Sequence, residues 1–456
     1  MTDEFVPFRL PAGLELGCAT AAVQIEGGRT DSSWYHWASK KGRIKDGSSP
    51  KRANRHWEMY EQDVRLMARM GIRQYRMSVE WSRIEPERGR FDEEAVGHYR
   101  AEIRRLLQCN IHPLVTLHHF SNPMWFERMG AFEKASCVPV FLEYVTHTVE
   151  RLQDLCTDFV TINEPNVYAT EGYLYGTWPP GKKNIVSALR VMRHMTLCHL
   201  AAYREIHRIC PEAKVGFANH LRIFTGFGKN PVYALEAKIV RYFFQDALTE
   251  SMSTGKLAFP LGCSAPYGKG RFYDYIGINY YSRSSVKHFR SFPTPGFPTN
   301  DLGWEIYPEG IALLCREQYE KYRAPVWITE NGTCDGKDRF RAKFLYDHIR
   351  QIATSGLPVE RYYHWTFLDN FEWIEGESAP FGLVECDFST QKRTVRPSGE
   401  FYAEMCRTRQ VTRGMIARYL RRAGGVPPQS IPAVLPCGEN KSVPAGESKE
   451  DPGLRT

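Results

Sequence analysis

The chain has 456 residues, 42% apolar and 25% charged, and its 60 Lys and Arg against 52 Asp and Glu leave a formal charge of +8. Those values lie in the globular range and exclude collagen, coiled coil and wholesale disorder. Six arginines and no acid fall within residues 407–422, so the rest of the chain carries only +2, too little for a general nucleic-acid binder.

No run of about 18 uncharged apolar residues occurs, which rules out a membrane-spanning helix. The opening MTDEFVPFRLPAG lacks the basic and apolar regions of a secretory signal. Twelve cysteines are scattered without a CxxC or a Cys/His ligand spacing. Together these predict a cytoplasmic protein with reduced thiols and neither metal nor cofactor.

Eight short segments rich in β-branched and aromatic residues follow one another along the chain: 14–20, 73–79, 113–118, 158–163, 214–219, 275–280, 325–329 and 362–367. Helix-length stretches separate them. HWEMYEQDVRLMARMG stops on Gly71, where a helix C-cap belongs, and YRAEIRRLLQCN and VPVFLEYVTHTVERLQDLC carry the same amphipathic spacing. Alternation of this kind predicts a parallel sheet with helices outside. Eight repeats, with no glycine-rich phosphate turn after the first strand, favour a closed (β/α)8 TIM barrel over an open doubly wound sheet. The long connections 28–55 and 281–310 are expected to stand over one end of it.

The barrel is expected to occupy residues 1–423. Within 407–422, Val411, Met415 and Tyr419 recur four apart among the arginines, which predicts a basic amphipathic helix. The favoured reading docks that helix on the barrel with its basic face in water; its rival is contact with an anionic membrane or partner. From 424 to 456 the chain turns to Pro, Gly, Ser and charge, the composition of a disordered tail.

Reactive groups in such barrels stand at the C-terminal ends of the strands. Glu164 follows strand four in TINEPN, and Glu330 follows strand seven in WITENG. Two carboxylates placed this way face each other across the mouth, which suits an acid and a nucleophile working on opposite sides of one bond, as in glycoside cleavage. Either alone could equally be a salt-bridge partner. Other strand ends offer Gln24 and Glu26, Arg76, His118 and His119, Asn279 with Tyr281, and Trp365 leading into LDNFEW with Glu372 and Trp373. Amides, imidazole, carboxylate and indole on one rim match a sugar ring, whose hydroxyls take hydrogen bonds and whose C–H face stacks on an aromatic. Glu26, Glu80 and His118 read as scaffold, and Tyr173, Trp178, Trp304 and Tyr307 as candidates for the entrance.

With these motifs in order the sequence resembles family 1 of the glycoside hydrolases, the retaining β-glucosidase family, over roughly residues 8–410. GCATAAVQIEGG, YRMSVEWSRIEPERG, LHHF, TINEP, YIGINYYS, ITENG, FLDNFEW and FGLVECDFSTQKRT carry the resemblance. It implies a cofactor-free hydrolase of terminal β-D-glucosyl residues, with galactosyl and fucosyl epimers left open. Glu330 would be the nucleophile and Glu164 the acid/base. Arg76 and Tyr281 would hold Glu330, and Asn163 would meet the sugar 2-hydroxyl. Gln24, His119, Glu372 and Trp373 would bind the remaining hydroxyls, above Trp365. The anionic nucleophile should raise the acid's pKa toward neutrality. SSWYHWA, Ser121–Asn122–Pro123 and TWPPG depart from the family pattern near the entrance and leave the aglycone open. A 6-phospho-β-glycosidase is disfavoured by Glu372, placed where it would repel phosphate. A non-catalytic sugar-binding barrel is disfavoured because both glutamates are present.

Overall fold

The structure is a computed structural model that describes residues 5–28 and 30–421. Eight parallel strands close into a barrel in strict sequence order. We number them β1 (Glu15–Ala19), β2 (Gln74–Ser78), β3 (His112–His118), β4 (Asp158–Asn163), β5 (Lys214–His220), β6 (Ile276–Asn279), β7 (Val326–Asn331) and β8 (Val359–Trp365). All eight expected strands are present. Their residues are mostly buried because helices cover the sheet outside and packed side chains fill it inside. The filling is tight. Tyr275 stacks on Trp327 with ring centroids 3.6 Å apart, and a Cβ on Gly216 would sit 2.7 Å from that tyrosine ring.

The helices form where periodicity predicts, and local chemistry sets their ends. His56–Arg69 runs out at Met70, and Gly71 turns the chain at φ +78°. Asp92 caps Glu93–Gln108 by accepting from Glu94 and Ala95 N–H, and Asn184 caps Ile185–Ile209 through Ser187 N–H. The connection 28–55 does stand over the C-terminal end. Trp34, in its helix Ser33–Ala38, packs against Trp178 and Trp373. The other long connection supplies a hairpin, Arg283–Lys287 and Arg290–Phe292, that pairs with Ile223–Gly226 from the segment after β5 to make a three-stranded sheet beside the mouth.

The expected helix over 407–422 is not continuous. Helix Pro397–Thr408 ends because Arg409 adopts φ +55°. Gln410–Val411 then pairs antiparallel with Phe8–Arg9, and helical turns resume only over Arg413–Leu420. Three of the arginines serve the fold. Arg409 donates to the carbonyls of Pro11 and Leu14 and pairs with Glu15, Arg418 pairs with Glu404, and Arg407 donates to the Arg69 carbonyl. Val411 and Met415 are buried as expected, and Tyr419 packs on Phe401. The described part of the stretch is thus docked on the barrel, with Arg407, Arg409 and Arg418 engaged in the fold. Residues 424–456, read from composition as a disordered tail, lie outside the described residues. Among the described residues no helix is long and apolar enough to cross a membrane, and no group of His, Cys, Asp or Glu is arranged to hold a metal ion.

Candidate active site

Arg76 projects from β2 and links three other strands. Its guanidinium donates to Glu330 Oε1 at 2.5 Å and Asn163 Oδ1 at 2.6 Å, and also to Thr116 Oγ1 and the Thr329 carbonyl. The Tyr281 hydroxyl donates to the other Glu330 oxygen at 2.6 Å. Both oxygens of Glu330 are therefore occupied by strong donors. Burial pushes this carboxyl up to about 7 against the pull of Arg76, and the facing Glu164 pushes the same way. The rise on Glu330 comes from burial beneath the rim, a depth that sequence does not reveal.

Glu164 follows β4 in a left-handed conformation, φ +40°, at the head of helix Pro165–Ala169. Such a backbone is uncommon for a residue with a side chain and marks a constrained position. Its Oε1 accepts from the Asn279 amide at 2.8 Å and faces His220 Nδ1 at 3.2 Å. The His220 tautomer follows from its other neighbour. Nε2 lies 3.4 Å from Arg222 Nη2, and a guanidinium only donates, so Nε2 keeps its lone pair and the proton sits on Nδ1, toward Glu164. His220 and Arg222 have no role in the reading from sequence, and Asn279 enters it only as a strand-end amide. His220 ends β5 as the other site residues end their strands, and that position is the signal that could have found it.

His119 is neutral, its pKa driven well down, chiefly by burial. Its Nε2 accepts from the Asn163 amide at 3.0 Å, which leaves the proton on Nδ1, buried and without a protein partner. Gln24 donates to the Phe371 carbonyl and, at 3.4 Å, to Glu372; its Oε1 also has no protein partner. These idle groups, one donor and one acceptor, are what a polyhydroxy ligand would use. Glu372 also takes a 3.4 Å hydrogen bond from Trp365 Nε1 and is pushed up to about 8 by burial. It is thus largely protonated at neutral pH, able to donate as well as accept, and it does not repel phosphate as a fixed carboxylate would.

The cavity above these groups has a volume of about 400 Å3. Glu164, Glu330, His119, Glu372, Trp365 and Trp373 line one part, and Val167, Phe224, Val240, Phe244 and Leu302 another. Arg76, Asn163 and Gln24 are fully buried and lie behind that lining, each one hydrogen bond away from it. Trp178 and Trp304 line the cavity as expected; Tyr173 is buried in packing, and Tyr307 stacks under Arg283. Glu26 and Glu80 are scaffold: Arg83 and Tyr99 hold the first, Ser82 and Ser121 the second. His118 bonds Asn122 inside the protein. A larger groove of about 680 Å3 lies between the loop 297–309 and helix Arg341–Ala353 and holds none of the strand-end groups.

Gly332, just past Glu330, fixes β7 against β8, because a Cβ there would come within 1.8 Å of the Trp365 carbonyl oxygen. Gly332→Ala must displace either the Glu330 strand or the Trp365 wall. We expect a stability loss of about 1–3 kcal/mol and at least about a tenfold fall in kcat/KM. Urea denaturation and steady-state kinetics on one preparation measure both, and unchanged values would show that the contact relaxes freely.

A closed (β/α)8 barrel with two buried carboxylates at the ends of β4 and β7, one held by a guanidinium and a phenol, defines a glycoside hydrolase. The comparisons give the family. The sequence model of glycosyl hydrolase family 1 matches residues 7–257 and 271–411. Beta-glucosidase A of Thermotoga maritima is 31% identical over 444 residues, spanning 87% of this chain and 97% of that protein. A beta-galactosidase of Pyrococcus woesei is 29% identical, spanning 89% and 98% of the two chains. Among solved structures, a beta-glycosidase from Pyrococcus horikoshii superposes with a TM-score of 0.83 at 32% identity, covering 91% of this chain and 98% of that one. The chain belongs to glycosyl hydrolase family 1.

Proposed function

We propose that the protein is a retaining β-glycosidase that releases terminal non-reducing β-D-glucosyl residues, with galactosyl and fucosyl substrates as the epimers to compare. The observation that carries this reading is the asymmetric pair. Glu330 takes donors on both oxygens, while Glu164 takes them on Oε1 alone. One proton shared by two buried carboxyls therefore rests on Glu164, whose Oε2 is free to face a leaving oxygen, and the charge rests on Glu330. Glu330 attacks the anomeric carbon and the bond to the aglycone oxygen breaks as Glu164 delivers its proton. Once Glu330 is esterified, Glu164 has lost both its proton and its anionic neighbour. It then takes a proton from water as that water attacks, releasing the sugar with two inversions and net retention. In this reading Asn163 serves the 2-hydroxyl, Gln24, His119, Glu372 and Trp373 the remaining hydroxyls, and Trp365 the ring face.

The names of the relatives, beta-glucosidase above all, support this substrate class. The 6-phospho rival is opposed by the cavity's lining, which sets the Glu330 carboxylate and the carboxyls of Glu171 and Glu375 against a single cation, Arg222. We also propose a reducing, cytoplasmic setting, supported by free thiols at all eleven described cysteines. Residues 1–423 are read as one catalytic unit, since the last described helical turns pack back on the barrel.

Hydrolysis of 4-nitrophenyl β-D-glucoside, β-D-galactoside, β-D-fucoside and 6-phospho-β-D-glucoside, with the product anomer followed by NMR, tests the reading. The β-anomer from a neutral sugar is expected. Initial α-anomer, or turnover of the phosphorylated sugar alone, would overturn it. The pH dependence has a defined sign. With the pair holding one proton up to about pH 7, kcat/KM should fall above that pH as the acid's proton leaves, and fall at low pH as Glu330 takes up a second one. A profile flat from pH 6 to pH 9 would remove the shared-proton account.

A further inference from the structure

Helix Pro231–Arg241 and the turn after it, Tyr242–Asp246, form one wall of the cavity through Val240 and Phe244. Its other side carries exposed apolar side chains. Val232, Leu235 and Ile239 lie at i, i+3 and i+7, one stripe of the helix, and all are exposed, Leu235 at 59%. Tyr242 and Phe243 continue the stripe to Phe259, which is 71% exposed and joined to them by the Tyr242 hydroxyl donating to its carbonyl and by a ring contact with Phe243. On the neighbouring hairpin, exposed Phe289 is tied to the same helix, its N–H donating to buried Glu236.

A continuous apolar face of this extent is unusual on a protein that meets only water. Its charges indicate what covers it. Lys229 and Lys238 are exposed on and before the helix, and Arg290 is exposed and Lys287 half-buried around the hairpin tip. Among the described residues these four form no ion pair; Lys287 rests over the Phe227 and Tyr233 rings. Arg241, in the same helix, is by contrast neutralised by Asp246 and Glu317. The one carboxylate within the helix, Glu236, is buried. A second copy of the chain on this face would set these unpaired cations against their own images, which opposes a symmetric dimer. Apolar side chains ringed by unpaired cations fit an anionic lipid surface, where the first enter the acyl boundary and the second meet phosphate.

We propose that this face docks the protein on an anionic phospholipid surface and brings the cavity mouth to the headgroup layer. The site differs from the arginine-rich stretch 407–422, where Arg407, Arg409 and Arg418 are engaged in the fold. The proposal does not depend on the catalytic roles given above, since it is read by binding.

The test is co-sedimentation of the full-length protein with vesicles of phosphatidylcholine alone and of phosphatidylcholine with phosphatidylglycerol. We expect pelleting with the anionic vesicles only, weakening as salt is raised. Leu235→Glu with Phe259→Glu should reduce it at least about tenfold, and Lys238→Glu with Arg290→Glu should abolish its salt dependence. All four positions are exposed, so melting temperature and hydrolysis of a water-soluble nitrophenyl glycoside should stay at wild-type values and serve as folding controls. No pelleting with anionic vesicles would overturn the proposal. So would pelleting that the variants leave unchanged. A dimer in sedimentation velocity that Leu235→Glu disperses would assign the face to a second copy instead.

Discussion

Glu330→Gln is expected to lower kcat on 4-nitrophenyl β-D-glucoside by about 10^4-fold or more, since the proposed mechanism makes the covalent intermediate on this carboxylate. The substitution suits the site. A glutamine can turn its oxygen to Arg76 and its amide to the Tyr281 oxygen, so the hydrogen bonds that position residue 330 survive while its charge does not. Thermal stability should fall, because the buried Arg76 guanidinium keeps its hydrogen bond to residue 330 but loses its counter-ion. KM should change little, since the residue's work lies in bond formation. A kcat within tenfold of wild type, on protein shown to be free of contaminating activity, would mean that the nucleophile lies elsewhere.

Glu164→Ala should separate the two halves of the reaction. For an alkyl glucoside, whose leaving oxygen needs a proton, kcat/KM should fall by about 10^2–10^4-fold. For 2,4-dinitrophenyl β-D-glucoside, which departs unaided, kcat/KM should stay within about tenfold, because that constant reports only steps through glycosylation. Its kcat should still drop, since water now attacks the glycosyl ester without a base. The signature is a burst of dinitrophenolate equal to the enzyme, followed by slow turnover. Equal losses in kcat/KM on both substrates would remove Glu164 as the acid. His220→Ala should produce a weaker form of the same split, because the imidazole acts only by donating to Glu164 Oε1.

The strands were legible because the interior of a parallel barrel demands apolar runs such as DFVTIN and VWITEN, each ending in the polar group that serves the mouth. Glu164, Glu330, Arg76 and Tyr281 came from that rule, sharpened by a family resemblance. His220 obeys the same rule but sits in NHLR, where no familiar motif surrounds it. The break at Arg409 was hidden for another reason. Val411, Met415 and Tyr419 are spaced as a helix would space them, whereas the strand pairing that overrides the pattern comes from residues at the other end of the chain. The state of Glu372 was hidden too, because a carboxyl's affinity for protons depends on depth, and depth is set by the loops that cover it.

The small ladder between Phe8–Arg9 and Gln410–Val411 does more than finish the fold. Arg409 reaches the Pro11 carbonyl across 398 positions of sequence, and the Leu10 N–H donates to the Arg409 carbonyl, so the body of the protein is nearly a ring. The ring closes at the rim where β1 begins, opposite the cavity. Residue 8 could therefore be joined to residue 411 by a short linker and the chain reopened in an exposed turn, for instance at Gly296, to encode the same barrel in a different order. Cargo attached at that seam would ride on the far side of the molecule and leave the mouth open.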